Sequence, residues 1–193
     1  SLYYDSGRIE QGLALFEEII ASSEPSAQRN DIMAAYARLL VQQGDAVGAR
    51  ALVEEVLQAD AGHVDSLLMQ ARWQIDADEI DEAILTLRRA QDGAPENPRI
   101  FTLLAEAYSR NGERDLAGEM LALAVETSAQ APEQTLRYAR FLRAEERFLP
   151  TEALLLDALR LAPRNPQLLS ELGLVYVGME DWARAEAVES ELR

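Results

Sequence analysis

Apolar residues recur along the chain with the spacing of amphipathic helices, and these helices come in pairs. Within residues 98–131, Phe101, Leu104 and Tyr108 follow the i, i+3, i+7 pattern of one helix face. A polar break, RNGERD, follows at residues 110–115, and a second apolar stripe begins directly after it. The pattern therefore predicts two helices of roughly 13 residues that are joined by a tight turn.

The same helix pair returns every 34 residues. The stretch NPRIFTLLAEAY at residues 97–108 is echoed 68 positions later by NPQLLSELGLVY at residues 165–176. Prolines share one phase of this period, where they suit the first turn of a helix, and small residues that permit close helix packing share two others. The prolines are Pro98, Pro132 and Pro166, and the small residues are Ala37, Ala71, Ala105, Ala139 and Gly173 at one phase and Ala49, Ala83, Ala117 and Ala185 at the other. Because neither helix of a pair can bury its apolar stripe alone, stacked pairs are predicted to share one core.

The period divides the chain into five repeats and a partial one. The repeats are predicted at residues 30–63, 64–97, 98–131, 132–165 and 166–193, and residues 1–29 form the partial repeat. There, SGRIEQGLALFEEII at residues 6–20 predicts a turn followed by a second helix, with the first helix almost entirely missing. We expect a single solenoid over residues 1–193 that is a segment of a longer protein. Its open ends are expected to pair with another copy of the chain.

A 34-residue helix–turn–helix unit with this pattern resembles the tetratricopeptide repeat (TPR) family. The residues that carry the resemblance in one repeat are Phe101, Leu104, Ala105, Tyr108, Ala117, Leu121 and Ala124. The repeat at 64–97 departs from the family pattern, because it has Gln70 and Gln74 in its first helix. The resemblance implies an all-α fold, a right-handed superhelical solenoid of helix–turn–helix repeats.

In the TPR family, the first helix of each repeat lines a concave groove. The resemblance therefore implies a non-catalytic protein–protein interaction scaffold that binds a peptide or a helix in this groove. The candidate groove residues are Arg38, Arg72, Glu106, Arg110, Arg137, Arg140 and Arg143. One alternative is a structural or assembly segment of a bacterial secretion or exopolysaccharide-export TPR protein, and another is an accessory region fused to an enzyme that lies outside these residues.

Four arginines stand out in RYARFLRAEER, residues 137–147, where they recur at steps of three, three and four. They are Arg137, Arg140, Arg143 and Arg147. On one helix they would form a stripe roughly 120° wide. This spacing predicts a basic pocket for an acidic peptide or a terminal carboxylate, which arginine can bind with two hydrogen bonds. The alternative is internal pairing, in which Glu106 and Glu171 on the neighbouring first helices neutralise Arg140 and Arg137.

Composition narrows the range of partners. The formal charge of −16 repels phosphate backbones, so we expect no nucleic-acid partner. The chain has no cysteine, one histidine and no phosphate-binding glycine loop, and we therefore expect no metal, no cofactor and no enzymatic activity. Without a long apolar run, this segment is not expected to insert into a membrane. The cytoplasm and the periplasm fit equally well.

A few further side chains carry expectations of their own. His63 follows a glycine between two repeats and is expected to be a solvent-exposed turn residue. Trp73 and Trp182 lie at helical phases, where packing in the core or between repeats is expected. The acidic stretch DADEID at residues 76–81 lacks the glycine and the terminal glutamate of a calcium loop, which predicts an acidic helix start.

Overall fold

The computed structural model describes the backbone of residues 2–192 and the side chains of residues 11–192. Within this described part, the chain forms helices joined by short connections and contains no strand. The helices are α1 (Leu2–Ser22), α2 (Ala27–Gln42), α3 (Ala46–Ala59), α4 (Val64–Asp76), α5 (Ile80–Gly93), α6 (Pro98–Arg110), α7 (Arg114–Thr127), α8 (Pro132–Ala144), α9 (Phe148–Leu161), α10 (Pro166–Gly178) and α11 (Trp182–Leu192). The sequence predicts that the open ends of the chain pair with another copy of it. The terminal residues at these ends, Ser1 and Arg193, lie outside the described residues.

From α2 onward the helices form the predicted pairs. The pairs are α2 with α3, α4 with α5, α6 with α7, α8 with α9 and α10 with α11. Small side chains at the two predicted phases lie between the helices, and Ala37, Ala71 and Ala139 have no exposed surface. The all-α helix–turn–helix architecture predicted from the 34-residue pattern is thus confirmed.

The turn inside each pair is three residues long and has the same backbone conformation every time. Its middle residue adopts a left-handed conformation with positive φ. The N–H of the following residue donates a hydrogen bond to the carbonyl oxygen five residues before it, with N···O distances of 2.8–2.9 Å. This closure ends a helix and reverses the chain. The middle residues are Gly44, Asp78, Gly112, Glu146 and Glu180.

The repeated Asn-Pro dipeptide is a helix start. Asn97 accepts a hydrogen bond from the N–H of Arg99 at 3.0 Å, and Asn165 accepts one from the N–H of Leu168 at 3.1 Å. The proline that follows each asparagine occupies the first helical position, where its missing N–H has no intrahelical partner to lose. The echo between residues 97–108 and 165–176 therefore repeats a cap together with the apolar face that follows it.

Contacts between Cα atoms group the chain into two compact units, residues 1–95 and 96–193. In the first unit, the ring of Phe16 from α1 stacks on Tyr36 with centroids 5.4 Å apart. In the second unit, a core that includes Leu136, Leu155 and Leu172 joins α8, α9 and α10. The division into five repeats within one solenoid domain stays a prediction.

The turn predicted at the start of residues 6–20 is absent, because α1 runs without a break from Leu2 to Ser22. Glycine inside a helix costs about 1 kcal/mol relative to alanine and does not by itself end one. Leu13, Phe16 and Ile20 of α1 pack against the core of the first unit. These apolar contacts hold the helix across Gly12.

Candidate functional site

The predicted stripe of four arginines is divided between two helices. Helix α8 ends at Ala144, and Arg147 is the N-cap residue of α9. The chain turns at Glu146, which has a φ of 56°, and the N–H of Arg147 donates a hydrogen bond to the carbonyl of Leu142. The prediction that Arg147 belongs to this stripe is therefore wrong. The arginines that α8 carries are Arg137, Arg140 and Arg143.

Two of these arginines converge on one buried carboxylate of the neighbouring helix. Glu171, on α10, is only 3% exposed. It accepts a hydrogen bond from Nε–H of Arg143 at 2.6 Å and one from Nε–H of Arg140 at 3.4 Å. A buried carboxylate is stable only when charge and hydrogen bonds compensate its lost hydration. The two guanidinium groups provide this compensation, and we call the three residues the arginine–glutamate cluster.

The arginine–glutamate cluster carries a surplus positive charge, since two guanidinium groups and one carboxylate give 2 − 1 = +1. Among the described residues, Glu171 is the only partner of Arg140 and Arg143. Both arginines use Nε–H for this contact, so their terminal N–H groups remain available to another acceptor. The side chains of Arg140 and Arg143 are 61% and 34% exposed, and a ligand can therefore reach them.

The remaining candidates of the second unit pair within their own helices. Arg137 donates to Glu133 at 3.1 Å, and a terminal nitrogen of Arg110 lies 4.0 Å from a carboxylate oxygen of Glu106. Both pairs are four residues apart on one helix, where exposed pairs contribute about 0.3–0.5 kcal/mol. Internal pairing is thus found for Arg140, which contacts Glu171 on the neighbouring helix. Arg137 instead pairs with Glu133 of its own helix.

Two candidates belong to the first unit. Arg38 on α2 donates to Asp65 on α4 at 2.9 Å and thereby links the first helices of two successive pairs. Arg72 lies half-buried on α4. The structure therefore brings Arg140 and Arg143 together on one carboxylate, and it places Arg38 and Arg72 in the other unit.

His63 is not the exposed turn residue that the sequence predicted. Its side chain is 10% exposed and caps α4, with Nδ1 accepting the backbone N–H of Ser66 at 3.3 Å. The other ring nitrogen, Nε2, lies 3.1 Å from a carboxylate oxygen of Asp31. Because Nδ1 is an acceptor in this arrangement, Nε2 carries the hydrogen and donates it to Asp31. Sequence reasoning missed this cap because histidine is an uncommon N-cap residue.

The two tryptophans have different surroundings. Trp73 is half-buried, and the guanidinium carbon of Arg50 lies 5.0 Å from the centre of its ring. Trp182 is 61% exposed at the first position of α11, so the expectation that it packs in the core is wrong. Helical phase alone did not reveal that the Trp182 side chain is exposed.

Sequence reasoning also missed a hydrogen-bonded network in the second unit. The hydroxyl of Tyr176 donates to Glu152 at 3.1 Å, and burial together with this carboxylate raises the pKa of Tyr176. Arg184 lies over the Tyr176 ring at 4.5 Å and contacts Glu152. Its hydrogen bond to Asp181 at 2.6 Å lowers the pKa of that carboxyl group. These contacts tie α9, α10 and α11 together, and no sequence spacing indicated them.

The described part of the chain lacks two other kinds of site. No three histidine or acidic side chains there lie close enough together to hold a metal ion. No described helix combines the length and the apolar character that crossing a membrane requires.

The chain belongs to the tetratricopeptide repeat family. Two family models with the description "Tetratricopeptide repeat" match it, one at residues 1–64 and the other at residues 40–103. Together the matches span residues 1–103, which is more than half of the chain. No curated protein sequence matches the chain.

Solved structures of TPR proteins share the fold. PilF of Pseudomonas aeruginosa matches with a TM-score of 0.73 and 20% identity over 98% of this chain and 85% of PilF. A TPR protein from Parabacteroides merdae matches with a TM-score of 0.69 and 14% identity over 98% of this chain and 74% of its own. YrrB, described as a TPR protein with an unusual peptide-binding site, matches with a TM-score of 0.63 and 17% identity over 91% of this chain and 89% of YrrB. These similarities establish the fold class, an all-α helical-repeat solenoid.

Family and fold together define a class of protein. TPR proteins are generally non-catalytic, and the chain is a protein-interaction scaffold in this general sense. The arginine–glutamate cluster is the candidate binding site for which the structure offers the most specific chemistry.

Proposed function

We propose that the protein is a non-catalytic scaffold that binds an acidic segment of a partner protein on the groove face of its repeats. Arg140 and Arg143 are the residues that bind the carboxylate of this segment. The observation that carries the proposal is that both arginines are held by the buried Glu171 through Nε–H while their terminal N–H groups remain available. The description of YrrB as having a peptide-binding site supports a peptide as the class of ligand.

Glu171 acts as a positioning residue in this proposal. Arginine side chains have many rotamers, and ordering them on binding costs free energy. Hydrogen bonds to Glu171 restrict the rotamers of Arg140 and Arg143 before a ligand arrives, and this lowers the ordering cost. A ligand carboxylate between the two guanidinium groups then accepts charge-assisted hydrogen bonds from terminal N–H groups of both.

The net charge of −16 acts against an acidic ligand at long range. Screening limits this repulsion, because the Debye length is about 8 Å at physiological ionic strength. Over contact distances the local charge of the arginine–glutamate cluster decides, and this charge is +1. We therefore expect the local contacts to make binding specific for a carboxylate. The electrostatic field of the whole chain should not raise the rate of association.

A titration with a selected peptide tests the proposal. Immobilised peptides rich in Asp and Glu are screened with the protein, and the best binder is titrated by fluorescence polarisation. The R140Q/R143Q variant should bind more than tenfold more weakly, since one charge-assisted hydrogen bond contributes about 1.5–3 kcal/mol and tenfold corresponds to about 1.4 kcal/mol. R160Q is the matched control, because Arg160 is 81% exposed on α9 and pairs with Asp157 of its own helix.

The source of the carboxylate is resolved by two versions of the peptide. One version carries an amidated C-terminus, and the other carries Asn and Gln in place of its acidic side chains. Loss of binding with the first assigns the terminal carboxylate, and loss with the second assigns acidic side chains. An affinity that R140Q/R143Q leaves unchanged would contradict the proposed role of these arginines.

The alternative role, an assembly segment of a secretion or export TPR protein, rests on the sequence pattern alone. The length and the further domains of the full polypeptide test it directly. The absence of catalysis in this chain is likewise part of the proposal, and it rests on the character of the family.

A further inference from the structure

A cleft of about 590 Å³ lies in the first unit between α3, α4 and α5. The arginine–glutamate cluster contributes nothing to it, since that cluster belongs to the second unit. Ligand-binding clefts of proteins commonly measure about 300–1,000 Å³. Two glutamines of α4, Gln70 and Gln74, line this cleft, and we call it the glutamine cleft.

The two glutamines occupy positions that hold apolar or aromatic residues in the other repeats. At the phase of Gln74 those residues are Leu40, Tyr108, Leu142 and Tyr176, and each is at most 8% exposed. At the phase of Gln70 they are Tyr36, Leu104, Tyr138 and Leu172. The repeat at 64–97 thus has two amides where the family pattern packs a core, and one turn of α4 separates them.

One of these amides has an unsatisfied group. Oε1 of Gln74 is buried and accepts no hydrogen bond from the described residues. A buried polar atom without a partner costs about 1–3 kcal/mol, and a leucine or a tyrosine at this position would avoid that cost. The Gln70 side chain has no hydrogen-bond partner among the described residues either. The Nε2 end of the Gln74 amide is not buried, and a half-turn of the amide about χ3 exchanges Nε2 with Oε1. Oε1 then faces the cleft, and both amides can bind a ligand.

The other walls of the glutamine cleft are apolar or balanced in charge. Val53 and Leu57 supply aliphatic surface, and the half-buried Trp73 supplies aromatic surface. The charged lining residues are two arginines and two glutamates, which give 2 − 2 = 0. A ligand that matches these walls is neutral, has an apolar body and carries at least one N–H donor.

The corresponding cleft of the second unit provides a comparison. It has a volume of about 540 Å³ and is lined by Leu172 and Tyr176, which hold the phases of Gln70 and Gln74. The Tyr176 hydroxyl donates to Glu152, so this side chain has the partner that Gln74 lacks. The shape of the cleft therefore follows from the repeat, whereas amides without a partner at these two phases are found in the glutamine cleft and not in the cleft of the second unit.

We propose that the glutamine cleft binds a side-chain carboxamide, that of Asn or Gln, from a segment of a partner protein. With the Gln74 amide turned so that Oε1 faces the cleft, the carboxamide N–H of the ligand donates to Oε1 of Gln74, and the carboxamide oxygen accepts from the Gln70 amide. The methylene groups of the ligand pack against Leu57 and Trp73. This site is independent of the acidic-peptide site proposed above, because it lies on other helices and selects a neutral group.

Small amide probes test the carboxamide site. The chain has two tryptophans, so W182F makes Trp73 the sole tryptophan reporter. Acetyl-glutamine methylamide is titrated into this protein and should change the Trp73 fluorescence saturably. Acetyl-leucine methylamide, which has a similar size and the same backbone amides but no carboxamide, should bind at least tenfold more weakly. Free glutamine is a further arm, and binding as tight as that of the capped compound would overturn the assignment to a protein segment.

Substitutions then tie the signal to the cleft. Q74L removes the acceptor and installs the residue that two other repeats hold at this phase, Leu40 and Leu142. We expect it to abolish the response to the glutamine probe while circular dichroism shows an intact fold. Q42L is the matched control, because Gln42 is exposed on α2 and lines no part of the cleft. The proposal is overturned if no probe saturates the signal, or if Q74L responds to the glutamine compound as the parent does.

Discussion

Removing the charge of Glu171 tests how strongly the arginine–glutamate cluster is built into the fold. The substitution E171Q preserves the shape of the side chain and removes its charge. Breaking a fully buried ion pair costs about 3–5 kcal/mol, because the remaining charge is left without compensation. Here water reaches both arginines, since the side chains of Arg140 and Arg143 are 61% and 34% exposed. We therefore expect E171Q to lower the free energy of unfolding by about 1–2 kcal/mol, which is less than the fully buried case.

Thermal unfolding followed by circular dichroism measures this effect. For a chain of this size, about 1 kcal/mol shifts the midpoint by about 2–4 °C, so E171Q should lower Tm by about 2–8 °C. The matched control is E133Q, because Glu133 has a 71% exposed side chain and, among the residues that the structure describes, pairs only with Arg137 of its own helix. We expect E133Q to change the unfolding free energy by less than about 0.5 kcal/mol.

A double-mutant cycle distinguishes the ion pair from other effects of the substitution. E171Q, R143Q and the combined variant are compared, and the charge pair predicts that the combined loss is smaller than the sum of the single losses. Additive losses, or an E171Q variant as stable as E133Q, would refute the conclusion that the two arginines compensate the buried carboxylate.

Further predictions concern the turns and one tyrosine, Tyr36. Glu146 adopts a φ of 56° and Gly112 a φ of 81° at the same phase of the repeat, so E146G should stabilise the protein by about 0.5–1 kcal/mol and G112A should destabilise it by about 1 kcal/mol. Urea unfolding measures both, and shifts of the same sign would contradict a shared left-handed turn. Burial, with the hydrogen bond to Glu17, raises the pKa of Tyr36 from its ordinary value of 10.0 to about 12. The folded state therefore keeps a proton that the unfolded state loses, so this contribution to stability is complete below pH 10.0 and disappears as the pH rises to about 12. Y36F should lose less stability than the parent between pH 10.0 and about pH 12, and equal losses in thermal unfolding would count against the raised pKa.

The helix pairs could be predicted from the sequence because their causes are local and recur. The apolar faces and the small residues return every 34 residues, and the Asn-Pro start returns after 68. Asn97 and Asn165 show how one dipeptide specifies both a side-chain cap and a proline that needs no N–H. Repetition strengthened each weak local signal, and this is why the fold class followed from one sequence.

The candidate site could be predicted only in part. Periodicity placed Arg140 and Arg143 on one face, but it did not show that both contact the same carboxylate, Glu171, which is distant in sequence. It also counted Arg147 with them, because the left-handed turn at Glu146 has no residue signature: glutamate seldom adopts a positive φ. Contacts between helices and rare backbone conformations arise from packing, and the sequence of one element does not contain them.

The most direct test of the proposed binding face is a chemical-shift map of the isotopically labelled protein with the selected acidic peptide. If the peptide binds as proposed, the largest amide shifts fall on α8 and α10 and include Arg140 and Arg143, and they disappear in the R140Q/R143Q variant. If the largest shifts instead fall on α7, α9 and α11 or within residues 11–95, the peptide binds elsewhere and the proposed face is wrong.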